Sequence, residues 1–253
     1  MADNLAFRQD WRLLVCNLED RWSFIKRNRR SVMNSFTSYA RARSPQQKEE
    51  RRRHLLATAR AMLTDSPAAL DLGINELARH AQMTKSNVYR YFESSEAVLM
   101  DVLVEEFAAW QHELGAALAR TGKNGSTIEH IARAFASTLC ARPLLCRLIS
   151  IMPSILERNV SSERMVEFKG KLLTIRQQAA AAFHSLCPAL TTPAFEQVIK
   201  HALPLIIGLW PLSNPVGVAA QVIALHEFKN LRYSFEDDLE HALLALMRGI
   251  ASG

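Results

Sequence analysis

The fold class expected of these 253 residues is all-α. Three observations predict it. Apolar residues recur in steps of three and four rather than two, as one face of a helix requires. Ser, Thr, Pro and Gly stand at the ends of those runs, where caps and breakers belong. No stretch alternates as a strand would, and no internal repeat is visible. At 49% apolar residues, the chain can bury one large core or two small ones.

The first helix is expected over Gln46 to Leu63, after Ser44-Pro45. Leu55, Ala59, Met62 and Leu63 line one face, and Arg51, Arg52 and Arg53 sit a turn earlier. Ser66-Pro67 breaks it, and Asp71-Leu72-Gly73 leads into a second helix with Ile74, Leu77, Ala78 and Ala81 on one side. The small side chains at 78 and 81 allow a third helix to cross closely. Thr84 suits the cap of that third helix, because its hydroxyl can accept an orphan backbone N–H. From Lys85 to Phe92 the apolar positions are Val88 and Phe92, four apart. Lys85, Ser86, Asn87, Tyr89 and Arg90 therefore point away from the core. Such a helix-turn-helix offers cationic and polar groups to a nucleic-acid groove: Tyr89 and Tyr91 as hydroxyl donors to phosphate, Asn87 as a partner for an adenine edge. An ordinary helical hairpin with a merely solvated polar face would show the same spacing.

Residues 48–104 resemble the DNA-binding domain of the TetR family of transcriptional repressors. The resemblance rests on Tyr89-Arg90-Tyr91-Phe92 and on the helix entry Ser94-Ser95-Glu96-Ala97-Val98-Leu99. There are departures: Ser95 stands where Lys is common, Gln82 and Ser86 where Gly is frequent, and Gly73 where Thr often opens the second helix. The resemblance implies a homodimer that binds a palindromic double-stranded DNA operator. Thr84, Lys85, Ser86, Asn87, Tyr89, Arg90 and Tyr91 would face the DNA. It also implies release by a small apolar effector held in a second, helical domain.

That second domain is expected over residues 96–253, with the DNA-binding domain at 45–95. Leu99, Leu103, Phe107, Trp110 and Leu114 form a long connecting stripe, stopped by Gly122 and Asn124-Gly125. Ser126-Thr127-Ile128-Glu129 reads as a capping box. Arg142-Pro143 and Met152-Pro153 divide residues 127–157 into two or three short helices. Ser161 or Ser162 caps a helix bearing Met165, Phe168, Leu172, Ile175, Ala179, Ala182 and Leu186, which Cys187-Pro188 ends. Thr192-Pro193 places a cap before a proline at the first helical position. Phe195 to Trp210 is apolar nearly all round. The last helix, capped by Ser234 with Asp237 beyond it, has one stripe of Leu239, Leu243, Leu246 and Ile250. A second stripe holds Leu244, Met247 and Ala251. A terminal helix with two apolar faces needs a core and a further surface, and a second copy supplies one through a twofold axis. Ile206, Trp210, Leu243, Leu244 and Met247 are the candidate dimer residues. Trp110, Phe135, Met152, Phe168 and Trp210 are the candidate effector-binding residues, though large apolar side chains at such positions equally serve as plain core.

Residues 1–44 carry Trp11, Trp22 and Phe24 among charges and the basic run Lys26-Arg27-Asn28-Arg29-Arg30. They are expected to be a disordered extension, a DNA-tracking arm, or sequence ahead of a native start at Met33. Charge follows the motif: residues 1–95 hold 17 Lys and Arg against 10 Asp and Glu, and residues 96–253 hold 14 against 15. A phosphate-rich partner predicts that asymmetry. Cys16, Cys140, Cys146 and Cys187 lack paired spacing, so reduced thiols in a cytoplasmic protein are expected. Leu13 to Cys16 is too short for a secretory core, and Ala202 to Leu212 is about half a membrane span. His112, His130, His184 and His201 form no ligand pair, so neither metal nor cofactor is expected. With no phosphate-binding glycine loop and no nucleophile elbow, an enzyme is not expected. The rival reading is an all-helical protein–protein adaptor without DNA binding.

Overall fold

The computed structural model describes residues 45–65, 72–120 and 127–252. The expected extension at 1–44, and the breaks at Ser66-Pro67, Gly122 and Asn124-Gly125, lie outside the described residues. Two compact units are present, residues 1–51 and 52–253. Of the first, only the opening turns of a helix are described. All contacts below lie within the second.

Among the described residues the chain is helical without strands. The helices are α1 (Pro45–Asp65), α2 (Ile74–His80), α3 (Lys85–Val88), α4 (Ser95–Leu118), α5 (Ile128–Cys140) and α6 (Pro143–Ile151). A π-helical turn (Met152–Leu156) follows, then α7 (Ser162–Leu186), α8 (Thr192–Ser213), α9 (Gly217–Ile223), a 3₁₀ segment (His226–Leu231) and α10 (Phe235–Ala251). The π-turn falls at Pro153, whose missing N–H interrupts the regular ladder. Helix α10 packs on α5 and α8, α7 and α6 pack on α8, and α4 lies against α5, α6 and α7.

The caps show where local chemistry won. Ser94, Ser161 and Thr191 each accept a backbone N–H of the helix they precede. The expected capping box is displaced by one residue. Thr127 is the N-cap, and the reciprocal partner is the His130 ring rather than the Glu129 carboxylate. Thr191, not Thr192, caps α8 and leaves Pro193 in its first turn. Ser234 accepts nothing from the backbone. Its hydroxyl donates to Asp237 (2.6 Å), and its N–H donates to the Asp238 carboxylate (2.8 Å).

The interior of the helical bundle is an aromatic chain. Trp110 meets Phe107 and Phe135 edge-on, Phe135 meets Phe183, and Phe183 meets Phe195, with centroids 4.9–6.4 Å apart. The Trp110 indole N–H, which burial would otherwise strand, donates to Thr138 Oγ1 at 2.9 Å. Trp210 packs separately, edge-on against Phe235.

Candidate nucleic-acid interface

Helices α2 and α3 owe their angle to one turn. Gln82 has φ 54°, the left-handed region that a Cβ disfavours. Its N–H donates to Arg79 C=O (3.2 Å), and Met83 N–H donates to Ala78 C=O (2.8 Å). Those two bonds make a Schellman close to α2. A glycine would adopt this conformation without strain. Thr84 then accepts the Asn87 N–H at 3.3 Å and starts α3. His54, from α1, hydrogen-bonds the Ala81 carbonyl at 3.2 Å and fixes the turn from below.

The expected rod from Lys85 to Phe92 is shorter as a regular helix than the spacing implied. It is α-helical over Lys85–Val88 and then tightens, with Arg90 N–H on Asn87 C=O and Tyr91 N–H on Val88 C=O. Val88 and Phe92 are buried, and the Arg52 guanidinium lies 5.5 Å from the Phe92 ring centre. Thr84, Lys85, Ser86, Tyr89 and Arg90 are exposed, while Asn87 and Tyr91 are half-buried. Lys85 Nζ lies 5.9 Å from the Tyr89 ring centre. The side chains of Asn87 and Arg90 make no hydrogen bond among the described residues. Their donors are unspent. Next to this face, Arg79 and His80 end α2, exposed and 3.1 Å apart. Sequence reasoning passed over this pair. Its signal was the basic last turn of α2, where cations are also favoured by the helix dipole.

Helix α4 is bound to its surroundings by two buried carboxylates, each between two arginines. Asp101, 5% exposed, pairs with Arg52 of α1 and with Arg164 of α7. Glu106 pairs with Arg60 of α1 (2.8 Å) and with Arg142 at the α5–α6 junction (2.7 Å). Arg142 also grips Glu113 through two bonds of 2.6 Å, which hold the Glu113 carboxyl below its ordinary value. Burial pushes the neighbouring Glu105 carboxyl up, against the pull of Arg60. The turn before α7 docks on the end of the helix-turn-helix. Glu93 accepts the Ser161 N–H (2.7 Å), and Glu96 accepts from the Asn159 amide (2.6 Å). Burial alone would raise Glu96, but the hydrogen bonds from Asn159, its own backbone, Ser95 and Ser94 keep it low. Ser95 spends its hydroxyl on this carboxylate, 3.1 Å away.

The candidate effector residues are all buried. Trp110 and Phe135 are successive members of the aromatic chain, Met152 and Phe168 belong to the same core, and Trp210 packs on Phe235. The candidate dimer residues face inward. Ile206, Trp210, Leu243 and Met247 are buried in the protomer's own core, and Leu244 packs against it. The buried stripe of α10 is Phe235, Leu239, Leu243 and Met247, a step of four throughout, so it takes members from both expected stripes. The faces left open are others. His201, Pro204 and Leu205 of α8, with Ala242, Ala245 and Gly249 of α10, line a groove of about 700 Å³. Cys140, Cys146 and Cys187 are free thiols, and burial raises all three. No group of three or more His, Cys, Asp or Glu among the described residues is placed to hold a metal ion. No single described helix is long and apolar enough to cross a membrane.

This geometry defines a class: an all-helical protein with a helix-turn-helix joined through one shared helix to a larger bundle. Residues 104–253 match the family model described as "Tetracyclin repressor-like, C-terminal domain", and the chain belongs to the TetR family of transcriptional regulators. No curated protein matches it in sequence. Among solved structures, it is similar to the fatty acid degradation regulator FadR of Bacillus halodurans. The identity is 11% over 76% of this chain and 97% of that one, with a TM-score of 0.45. A TetR-family regulator of Mesorhizobium loti shows 13% identity, coverage of 81% and 96%, and a TM-score of 0.43. A transcriptional regulator of Rhodococcus sp. Rha1 shows 19% identity, coverage of 81% and 96%, and a TM-score of 0.42.

Proposed function

We propose that the protein is a cytoplasmic repressor that binds a palindromic DNA operator as a homodimer and leaves it when a small apolar effector binds. The observation that carries the reading is the unspent polar edge of α3. Asn87 and Arg90 have no partner among the described residues, while Val88 and Phe92, on the same turn, lock the rod to the core. In this reading Asn87 and Arg90 read base edges, and Lys85, Tyr89 and Tyr91 hold phosphates, with Thr84 and Ser86 at the rim. One such module makes few base contacts. Two modules in a rigid frame read half-sites a helical turn, or a multiple, apart.

The frame is the outward face of α8 and α10, where Ala242, Ala245 and Gly249 permit close helix approach. The lever is α4, tied to α1 by Arg52 and Arg60 and to the bundle by Arg142 and Arg164. Because Trp110, Phe135, Met152 and Phe168 are each packed, an effector lodging among them displaces side chains and moves α4. A differential affinity of about 1–3 kcal/mol between the two states suffices. The test is selection from a random duplex pool with the full chain, followed by binding across salt. The expected outcome is a palindrome and an affinity that falls by about 0.9 log units per log unit of salt for each phosphate contact. Failure to retain any duplex at low ionic strength would reject the reading in favour of the adaptor.

A further inference from the structure

Between α8 and α10 the chain leaves the bundle. Neither α9 nor the 3₁₀ segment buries a residue, yet both are regular and pack on each other. Of the eleven large exposed hydrophobics among the described residues, seven fall in residues 212–233. Val218 is 74% exposed, Val216 69% and Leu231 62%. Without a core, the unit is held by one side chain. Arg232 donates to the carbonyls of Ile223 (2.8 Å), Ala224 (2.6 Å) and Leu225 (3.1 Å), closing the end of α9. Gly217, at φ 59°, makes the turn that enters it. A helix pair this small has no independent stability in water, so an ordered apolar one implies a surface that covers it.

We infer that residues 212–233 are an exchange arm that lies across the α8–α10 face of a second copy of this chain. The inference rests on the homodimer proposed above and names the segment that completes it. Both ends of the arm are rooted in the two helices that line the open groove, so a twofold axis there presents each arm to its partner. In the groove Ala242, Ala245 and Gly249 let helices come close, and the arm extends the apolar face that Pro204, Leu205, Leu246 and Ile250 provide. At roughly 60–120 Å² for each aliphatic side chain withdrawn from water, the arm adds several hundred Å² per protomer. A stable dimer needs about 800 Å² per partner. A lipid surface fits less well. The charges of the 3₁₀ segment and its edge are Glu227, Lys229 and Arg232, and Arg232 is committed to the carbonyls, so no cationic cluster remains for anionic headgroups.

The experiment is sedimentation equilibrium of the full chain beside a Val218→Asp/Val222→Asp variant, both positions being exposed in the protomer. Hydrogen exchange of the 217–225 amides is followed above and below the dimer dissociation constant. The expected result is a dissociation constant raised at least tenfold with unchanged circular dichroism, and amide protection that disappears on dilution. A shift under twofold with Ala245→Arg still dissociating the dimer would overturn the arm and leave the dimer standing. A monomeric wild type at all concentrations would overturn both. Protection gained only on vesicles of mixed anionic and neutral lipid would assign the arm to a membrane and overturn the inference.

Discussion

Replacing Asp101 by Asn tests a buried carboxylate that ties α4 to α1 and α7. The carboxylate is 5% exposed and lies between Arg52 and Arg164, whose side chains are 30% and 18% exposed. Removing one member of a buried ion pair costs about 3–5 kcal/mol when the orphaned charge stays dry. Here both guanidiniums touch water, so screening lowers the expected loss to about 2–3 kcal/mol. For a chain of this size each kcal/mol shifts the melting temperature by about 2–4 °C, giving a fall of about 4–12 °C. The assay is thermal unfolding at one fixed protein concentration, since dimerisation makes the midpoint concentration-dependent. A double-mutant cycle with Arg164→Gln isolates the pair, with an expected coupling of about 1 kcal/mol or more. A loss under about 0.5 kcal/mol with no coupling would show that the bridge is not holding α4.

Three further outcomes are expected. Gln82→Gly relieves the left-handed residue and raises stability by about 0.5–1 kcal/mol, while Gln82→Val lowers it by about 1–2 kcal/mol; chemical denaturation of the pair checks the opposite signs. Glu113 and Glu96 have folded values below the ordinary 4.5, so each contributes stability above that pH and loses it as pH falls through the folded value. Glu113→Gln therefore flattens the acid limb of stability below about pH 4.5. Glu105, raised by burial, works in the opposite sense above about pH 4.5, where its charged form costs stability, and Glu105→Gln removes that cost at neutral pH in the same titration. Cys146, buried and with its thiol pushed far up, stays unlabelled by iodoacetamide in the native protein at neutral pH and labels on denaturation; intact mass reads both states.

The helices were legible because their signals are local. Thr84, Ser94 and Ser161 cap in place, and Ile74, Leu77 and Ala78 point inward as spacing of three and four requires. What spacing cannot decide is which of two apolar faces is inside. In α10, Leu243 and Leu246 share an expected stripe, but only Leu243 is buried, because the positions of α5 and α8 set the rotation. The same ambiguity led to Ile206 and Trp210 as dimer residues. No element was expected over residues 213–233, whose order comes from Arg232 reaching back seven to nine residues. Gln82 stood out only as a departure from Gly; its left-handed backbone is imposed by the hydrogen bonds on either side, not by its own preference.

The central claim is that the polar edge of α3 reads bases, and the ratio of specific to random DNA binding measures it most directly. With the selected palindrome and a scrambled duplex at one salt concentration, Asn87→Ala is expected to lower that ratio by a factor equivalent to about 1–3 kcal/mol. Tyr91→Phe should weaken both duplexes alike. An unchanged ratio in Asn87→Ala and Arg90→Ala would contradict the account.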